Sequence, residues 1–141
     1  MTRSRPSAAR HVAERDRPVI LVVDDEEPLR ALAGEMLGYL GFQVEAVSSG
    51  EEAVERIRRG PPPDLVILDV IMPGIGGIET FRRILKAIPT QKILIATGFA
   101  DRAALEALEA EGASGFILKP YRLETLADRV RLLLSKPAHT T

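Results

Sequence analysis

With 141 residues, 45% of them hydrophobic and 28% charged, the chain is of single-domain size and can bury one core, which excludes a disordered or fibrous polymer. Its 19 basic and 20 acidic residues nearly cancel, so bulk charge points to neither nucleic acid nor an anionic membrane as partner. The absence of cysteine excludes disulfides, thiolate metal sites and cysteine nucleophiles, and the two histidines, His11 and His139, lie in terminal segments.

Residues 1–17 carry five arginines, one glutamate and one aspartate and read as a flexible basic arm. No apolar core of a secretory signal follows them and no apolar run approaches the roughly 18 residues of a membrane span, so neither secretion nor insertion is expected and a cytoplasmic location is the default. Val19 to Val23 is a continuous apolar run, as in a strand buried on both faces. After Asp24-Asp25-Glu26-Glu27, Pro28 suits a first helical turn; Leu29, Leu32, Ala33, Met36, Leu37 and Leu40 follow at helical spacing, and Gly41 marks the end. Phe42 to Val47 alternates apolar and polar residues, which predicts an edge strand with one wet face. Ser48-Ser49-Gly50 opens a second helix bearing Ala53, Val54 and Ile57, and Gly60-Pro61-Pro62-Pro63 breaks the chain before the buried run Leu65 to Leu68. Met72 to Gly77 reads as a loop, and Ile78, Phe81, Ile84 and Leu85 mark a third helix that Pro89 ends. Ile93 to Ala96 is the fourth strand, Ala100 to Ala110 the fourth helix, and Phe116 to Leu118 the fifth strand. Leu123, Leu126, Val130, Leu133 and Leu134 mark the last helix, so the folded unit is 18–135 and residues 136–141 form a disordered tail.

Five strands alternating with five helices predict an α/β, doubly wound, five-stranded parallel sheet, a (βα)5 flavodoxin-like arrangement. The order 2-1-3-4-5 belongs to that fold, the residues alone leaving it open, and it puts the half-polar second strand at an edge. In such folds ligands bind beyond the carboxyl ends of the strands. There the chain places Asp24 and Asp25, Asp69, Thr97 and Lys119. Two carboxylates about 4 Å apart repel by roughly 4 kcal/mol at an effective dielectric near 20, so a divalent cation is called for. A donor set of oxygens without His or Cys selects magnesium, with manganese as an option. Such an acidic metal site suits phosphoryl chemistry, with Asp69, alone at the end of the central strand, as the better nucleophile candidate. Lys119 and the cation would neutralise the transferring group, and the Thr97 hydroxyl would bond a phosphate oxygen.

Val22-Val23-Asp24-Asp25-Glu26, Leu68-Asp69-Val70-Ile71-Met72-Pro73, Ala96-Thr97-Gly98 and Leu118-Lys119-Pro120-Tyr121 resemble, in order and spacing, the motifs of bacterial two-component response-regulator receiver domains. The resemblance covers about residues 18–135. It implies that Asp69 accepts a phosphoryl group from a phosphohistidine of a sensor histidine kinase or histidine phosphotransfer protein. It further implies Asp25, Asp69 and the Ile71 backbone carbonyl as direct magnesium ligands, Asp24 as a ligand through water, and a cis bond between Lys119 and Pro120. Thr97 and Phe116 fall on the switch positions, through which phosphorylation reshapes the face of helix four, strand five and helix five toward a downstream protein target. Ile71 and Phe99 fall where the family tunes hydrolysis, and two apolar residues there imply a long-lived phosphoaspartate. The implied protein is a signalling phosphoacceptor, catalysing at most its own phosphorylation and slow dephosphorylation, a monomer or a phosphorylation-dependent dimer, with no direct nucleic-acid contact. Gly76 departs from the polar residue often found in that loop, which is read as loop variation.

A haloacid-dehalogenase-type phosphatase would need a second acid two residues beyond the nucleophile, where Ile71 stands, and a pseudo-receiver would lack Asp69 or Lys119. The opening Met1 and the basic arm favour a stand-alone regulator over the receiver portion of a hybrid histidine kinase.

Overall fold

The computed structural model describes residues 17–98 and 101–137. His11, His139, Phe99, residues 1–16 of the expected arm and 138–141 of the expected tail lie outside the described residues.

Among the described residues, strands β1 (Val19–Val23), β2 (Gln43–Val47), β3 (Leu65–Asp69), β4 (Ile93–Thr97) and β5 (Gly115–Leu118) alternate with helices α1 (Glu27–Tyr39), α2 (Gly50–Arg59), α3 (Gly76–Ala87), α4 (Arg102–Ala110) and α5 (Leu123–Ser135). The strands form one parallel sheet in the order β2-β1-β3-β4-β5, as expected. Why the central strands are apolar throughout follows from the alternation of side chains across a sheet. Ile20, Val22, Leu65, Ile67, Leu94 and Ala96 face a core shared with Ala33 and Leu37 of α1 and Leu126, Val130 and Leu133 of α5. Leu21, Val23, Val66, Leu68, Ile93 and Ile95 face the opposite core, with Ala53 and Ile57 of α2, Phe81 and Ile84 of α3 and Leu108 of α4. β2 pairs with β1 alone, and Glu45 and Ala46 are exposed, in line with its mixed pattern.

Helix starts follow from their caps. Pro28 occupies the first turn of α1, and Gly41, at φ 98°, lets the chain turn out after it. Ser49 Oγ accepts from Glu52 N–H at 3.1 Å while Glu52 Oε1 accepts from Ser48 N–H at 2.8 Å, a reciprocal cap on α2. α4 begins at Arg102, two residues later than expected, because Asp101 caps it through Ala104 N–H. α3 begins at Gly76, inside the expected loop. Gly77 N–H donates to Val70 O at 3.1 Å, and a Cβ on Gly77 would lie 2.3 Å from Asp69 O. Only glycine permits that approach, so two residues that read as loop formers open a helix. Leu118, in an apolar run, is 54% exposed because β5 is the other edge of the sheet; Leu32 and Ile78 are also exposed, the buried faces of α1 and α3 being carried by Ala33 and Leu37 and by Phe81 and Ile84.

Candidate functional site

The parallel sheet brings Asp24, Asp25, Asp69, Thr97 and Lys119 to one edge, since each follows or ends a strand at its carboxyl end. Asp24 is buried and Asp25 is exposed, as neighbours leaving a strand on opposite sides must be. Asp24 Oδ1 accepts from Glu26 N–H at 2.9 Å, and its backbone carbonyl accepts from Arg30 Nη1 at 2.8 Å. Asp69 ends the fully buried β3 and accepts from Ile71 N–H at 3.2 Å through Oδ1. One carboxylate oxygen from each of Asp24, Asp25 and Asp69 falls within 4.8 Å of the others. Lys119 reaches into this group from the end of β5. Its Nζ lies 3.0 Å from Asp24 Oδ2, 3.2 Å from Asp69 Oδ2 and 3.6 Å from Glu26 Oε1.

The electrostatics follow from burial in a group richer in negative than positive charge. Burial raises the Asp69 carboxyl above its ordinary value; the Lys119 ammonium and the Ile71 N–H oppose that shift, and the Asp24 charge adds to it. For Lys119, burial lowers the pKa, but its bonds to Asp24 and Asp69 and their charges together outweigh burial and leave it raised. Burial and then the Asp24 charge push the Tyr121 phenol up to about 12.

The remaining expected residues are placed as follows. Thr97 is buried at the end of β4, and its carbonyl accepts from Lys119 N–H at 2.8 Å. Phe116 is half-buried, stands opposite Ile95 in the β4–β5 register and packs against the α2–α3–α4 core. The Ile71 side chain is 57% exposed at the mouth of the site. The Lys119–Pro120 bond is cis, as expected, and Gly60–Pro61, for which nothing was expected, is cis as well. Sequence reasoning missed Glu26, Arg30 and Tyr121 as neighbours of the site. Glu26 and Arg30 read as a first helical turn, and Tyr121 as the residue after a proline; adjacency to the acidic pair and to Lys119 was the available signal. On the α4–β5–α5 face a cavity of about 640 Å³ is lined by residues that include Leu105, Phe116, Leu118, Tyr121, Arg122 and Arg129.

Three convergent carboxylates with no nitrogen or sulfur donor suit a hard divalent cation, so the cluster can hold a metal ion. A family model for the response regulator receiver domain matches residues 20–131. The chain belongs to that family. It is 35% identical over 121 residues to the phosphate regulon transcriptional regulatory protein PhoB of Rhizobium meliloti, a match covering 84% of this chain and 53% of PhoB. It is 33% identical over 105 residues to the chemotaxis protein CheY of Thermotoga maritima, covering 73% of this chain and 86% of CheY. Against the sensor kinase CckA of Brucella abortus the identity is 34% over 118 residues, 83% of this chain but 12% of CckA. The chain therefore spans about half of PhoB and a small part of CckA. The crystal structure of the response regulator protein TrrA from Thermotoga maritima superposes with a TM-score of 0.74 at 34% identity, over 82% of this chain and 98% of that one. Receiver domains of two-component response regulators are signalling phosphoacceptors, and this chain is a domain of that family. Among the described residues, no helix of this receiver is long and apolar enough to cross a membrane.

Proposed function

We propose that this receiver takes a phosphoryl group onto Asp69 from a phosphohistidine on a sensor histidine kinase or histidine phosphotransfer protein, with Mg2+ or Mn2+ as cofactor. The observation that carries this is the approach of Lys119 Nζ to both Asp24 and Asp69 beside a third carboxylate. An Asp69 oxygen attacks phosphorus, the N–P bond of the phosphohistidine breaks, and its electron pair returns to the imidazole, which picks up a proton. Asp24, Asp25, Asp69 and the Ile71 carbonyl would hold the cation, Asp24 through water; bound there, it neutralises charge on the phosphoryl oxygens. TrrA, crystallised in complex with Mg2+-BeF, supports that assignment. Lys119, already held at the Asp69 carboxylate, pairs with the phosphoryl group as it arrives, and the Thr97 hydroxyl donates to one of its oxygens.

The added group brings about −1.5 to −2 charge. A population inverted from 1:99 to 99:1 requires about 5.5 kcal/mol of differential interaction, which a cation, an ammonium and a hydroxyl reading one group can supply. Thr97 drawn toward the phosphoryl group and Phe116 repacking in β5 would reshape the α4–β5–α5 cavity toward a downstream protein target, or toward a second copy in a phosphorylation-dependent dimer. Ile71 and Phe99 stand at the two sequence positions where the family tunes hydrolysis, and apolar residues at both favour a long-lived phosphoaspartate. The domain acts in the cytoplasm without touching nucleic acid or inserting in a membrane.

The test is intact mass after incubation with a small acyl phosphate and with a phosphohistidine donor, with and without Mg2+, beside Asp69→Ala. A Mg2+-dependent gain of one phosphoryl group, lost in the variant, is the expected result. No gain from either donor would overturn the reading.

A further inference from the structure

The Ile71 carbonyl, the one backbone ligand of the proposed cation site, belongs to a residue whose own side chain is mostly exposed and anchors little. Its direction is therefore set by what holds the rest of the β3–α3 loop. On one side, Ile71 N–H is tied to Asp69 Oδ1. On the other, the loop closes through Gly77 N–H to Val70 O, and Met72 is buried within the α2–α3–α4 core. α3 has no side-chain cap: Ile75 stands at its N-cap position and contributes no hydrogen bond. What grips its first turn is Thr80, fully buried, whose Oγ1 donates to Gly76 O at 2.6 Å.

Back-bonding of a helical threonine to the carbonyl four residues earlier is common. Here it has an additional feature. A Cβ placed on Gly50, the first residue of α2, would lie 1.9 Å from Thr80 Oγ1 and 2.9 Å from Ile75 Cγ1. The missing side chain at Gly50 is thus the slot that receives the Thr80 hydroxyl and the Ile75 side chain together. The first turn of α2, the first turn of α3 and the end of the β3–α3 loop meet at one contact with no slack.

We propose that Thr80 is a positioning residue for the proposed cation site, which rests on the reading of the acidic cluster above, and that Gly50 is its seat. The hydroxyl fixes the Gly76 carbonyl; Gly76 precedes Gly77, which closes on Val70; Val70 precedes Ile71. A threonine that loses its hydroxyl, or is pushed off Gly50, lets that ring relax and frees the Ile71 carbonyl to shift. The acidic side chains themselves, held by β1 and β3, stay where they are.

The experiment is Mg2+ affinity by titration calorimetry, with Tm measured in parallel in chelator, on the whole chain and on Thr80→Val, Thr80→Ser, Gly50→Ala and Gly50→Ala/Thr80→Ala. Removal of groups that orient metal ligands typically weakens binding 10- to 100-fold, and Thr80→Val is expected near the low end, about tenfold, with Tm close to the parent. Thr80→Ser keeps the hydroxyl and restores affinity. Gly50→Ala weakens affinity and lowers Tm; the double variant regains part of the Tm, because the new methyl occupies the space left at position 80 while still crowding Ile75, but not affinity. Thr80→Val binding Mg2+ as the parent does, or affinity recovering with Tm in the double variant, overturns the inference alone. A parent protein that binds no Mg2+ overturns the cluster reading and this inference with it.

Discussion

The Lys119 ammonium lies 3.2 Å from the Asp69 carboxylate, although 50 residues separate them along the chain. It also reaches Asp24, so one buried cation is shared between two buried carboxylates, and the group keeps an excess of negative charge. That excess is tolerated because the site is organised for something other than stability.

A first prediction follows from the sign of the Asp69 shift. A carboxyl whose folded pKa is raised contributes stability fully below its unfolded pKa and loses it as pH rises through the folded value. At neutral pH the ionised Asp69 is therefore a cost. Asp69→Asn is expected to raise Tm of the metal-free protein by roughly 3 °C, read by calorimetry in chelator. Mg2+ should raise Tm of the parent more than that of the variant. A lower Tm for Asp69→Asn in chelator would mean that the Lys119 pairing outweighs burial.

Tyr121 gives a pH prediction in the alkaline range. Its phenol is pushed up to about 12 in the folded protein, mainly by burial. The unfolded chain releases that proton near pH 10, so stability is unaffected below about 10 and falls as pH rises from there toward 12. The slope is about 1.4 kcal/mol per pH unit for one group. Urea unfolding between pH 9 and 12, set beside Tyr121→Phe, measures it: the variant should lose less stability over that window. Equal losses would assign the alkaline sensitivity to other groups.

Gly77→Ala is expected to cost about 3 kcal/mol, since the new methyl would meet Asp69 O and Val70 O at 2.3 and 2.4 Å and backbone must move. The same change at Gly38, where a Cβ would meet nothing within 4 Å, should stabilise by about 0.5 kcal/mol through helix propensity. Denaturant midpoints of the two variants, compared directly, test the contrast.

The elements most readable from sequence were those whose pattern has a single physical cause. β1, β3 and β4 are covered on both faces, so every residue must be apolar, and the first polar residue marks the sheet edge where the acids gather. The mixed pattern of β2 reported its edge position for the same reason. What stayed hidden depends on contacts distant in sequence. Gly76 and Gly77 read as loop because glycine disfavours helices, and only the approach of Gly77 to Asp69 O explains a helix starting there. The Lys119 neighbour Glu26 stands at the N-cap of α1, where an acid is ordinary enough to carry no signal of its own. Thr80 carries no motif: a buried hydroxyl at a core position signals something only once Gly50 is found opposite it. The exposure of Leu118 was invisible because apolar residues are common on surfaces.

β2 supplies the last prediction. Among the described residues it pairs with β1 alone and its outer edge has no ladder partner, so the strand is the natural first place for the sheet to open. Arg56 of α2 compensates. Its guanidinium is nearly buried, donates through Nε and Nη2 to the Glu45 carboxylate on β2, and through Nη1 to Pro61 O at 2.9 Å. Hydrogen bonds of charged groups contribute about 1.5–3 kcal/mol, and Arg56 makes three, though with Glu45 half-exposed the pair lies at the weak end. Arg56→Met should therefore cost about 2 kcal/mol, and Glu45→Gln clearly less, because it leaves the Pro61 bond intact. Hydrogen exchange locates the loss: amides of β2 should lose protection ahead of those of β1 and β3 in Arg56→Met. Uniform loss across the sheet would show instead that Arg56 supports the whole fold and not its open edge.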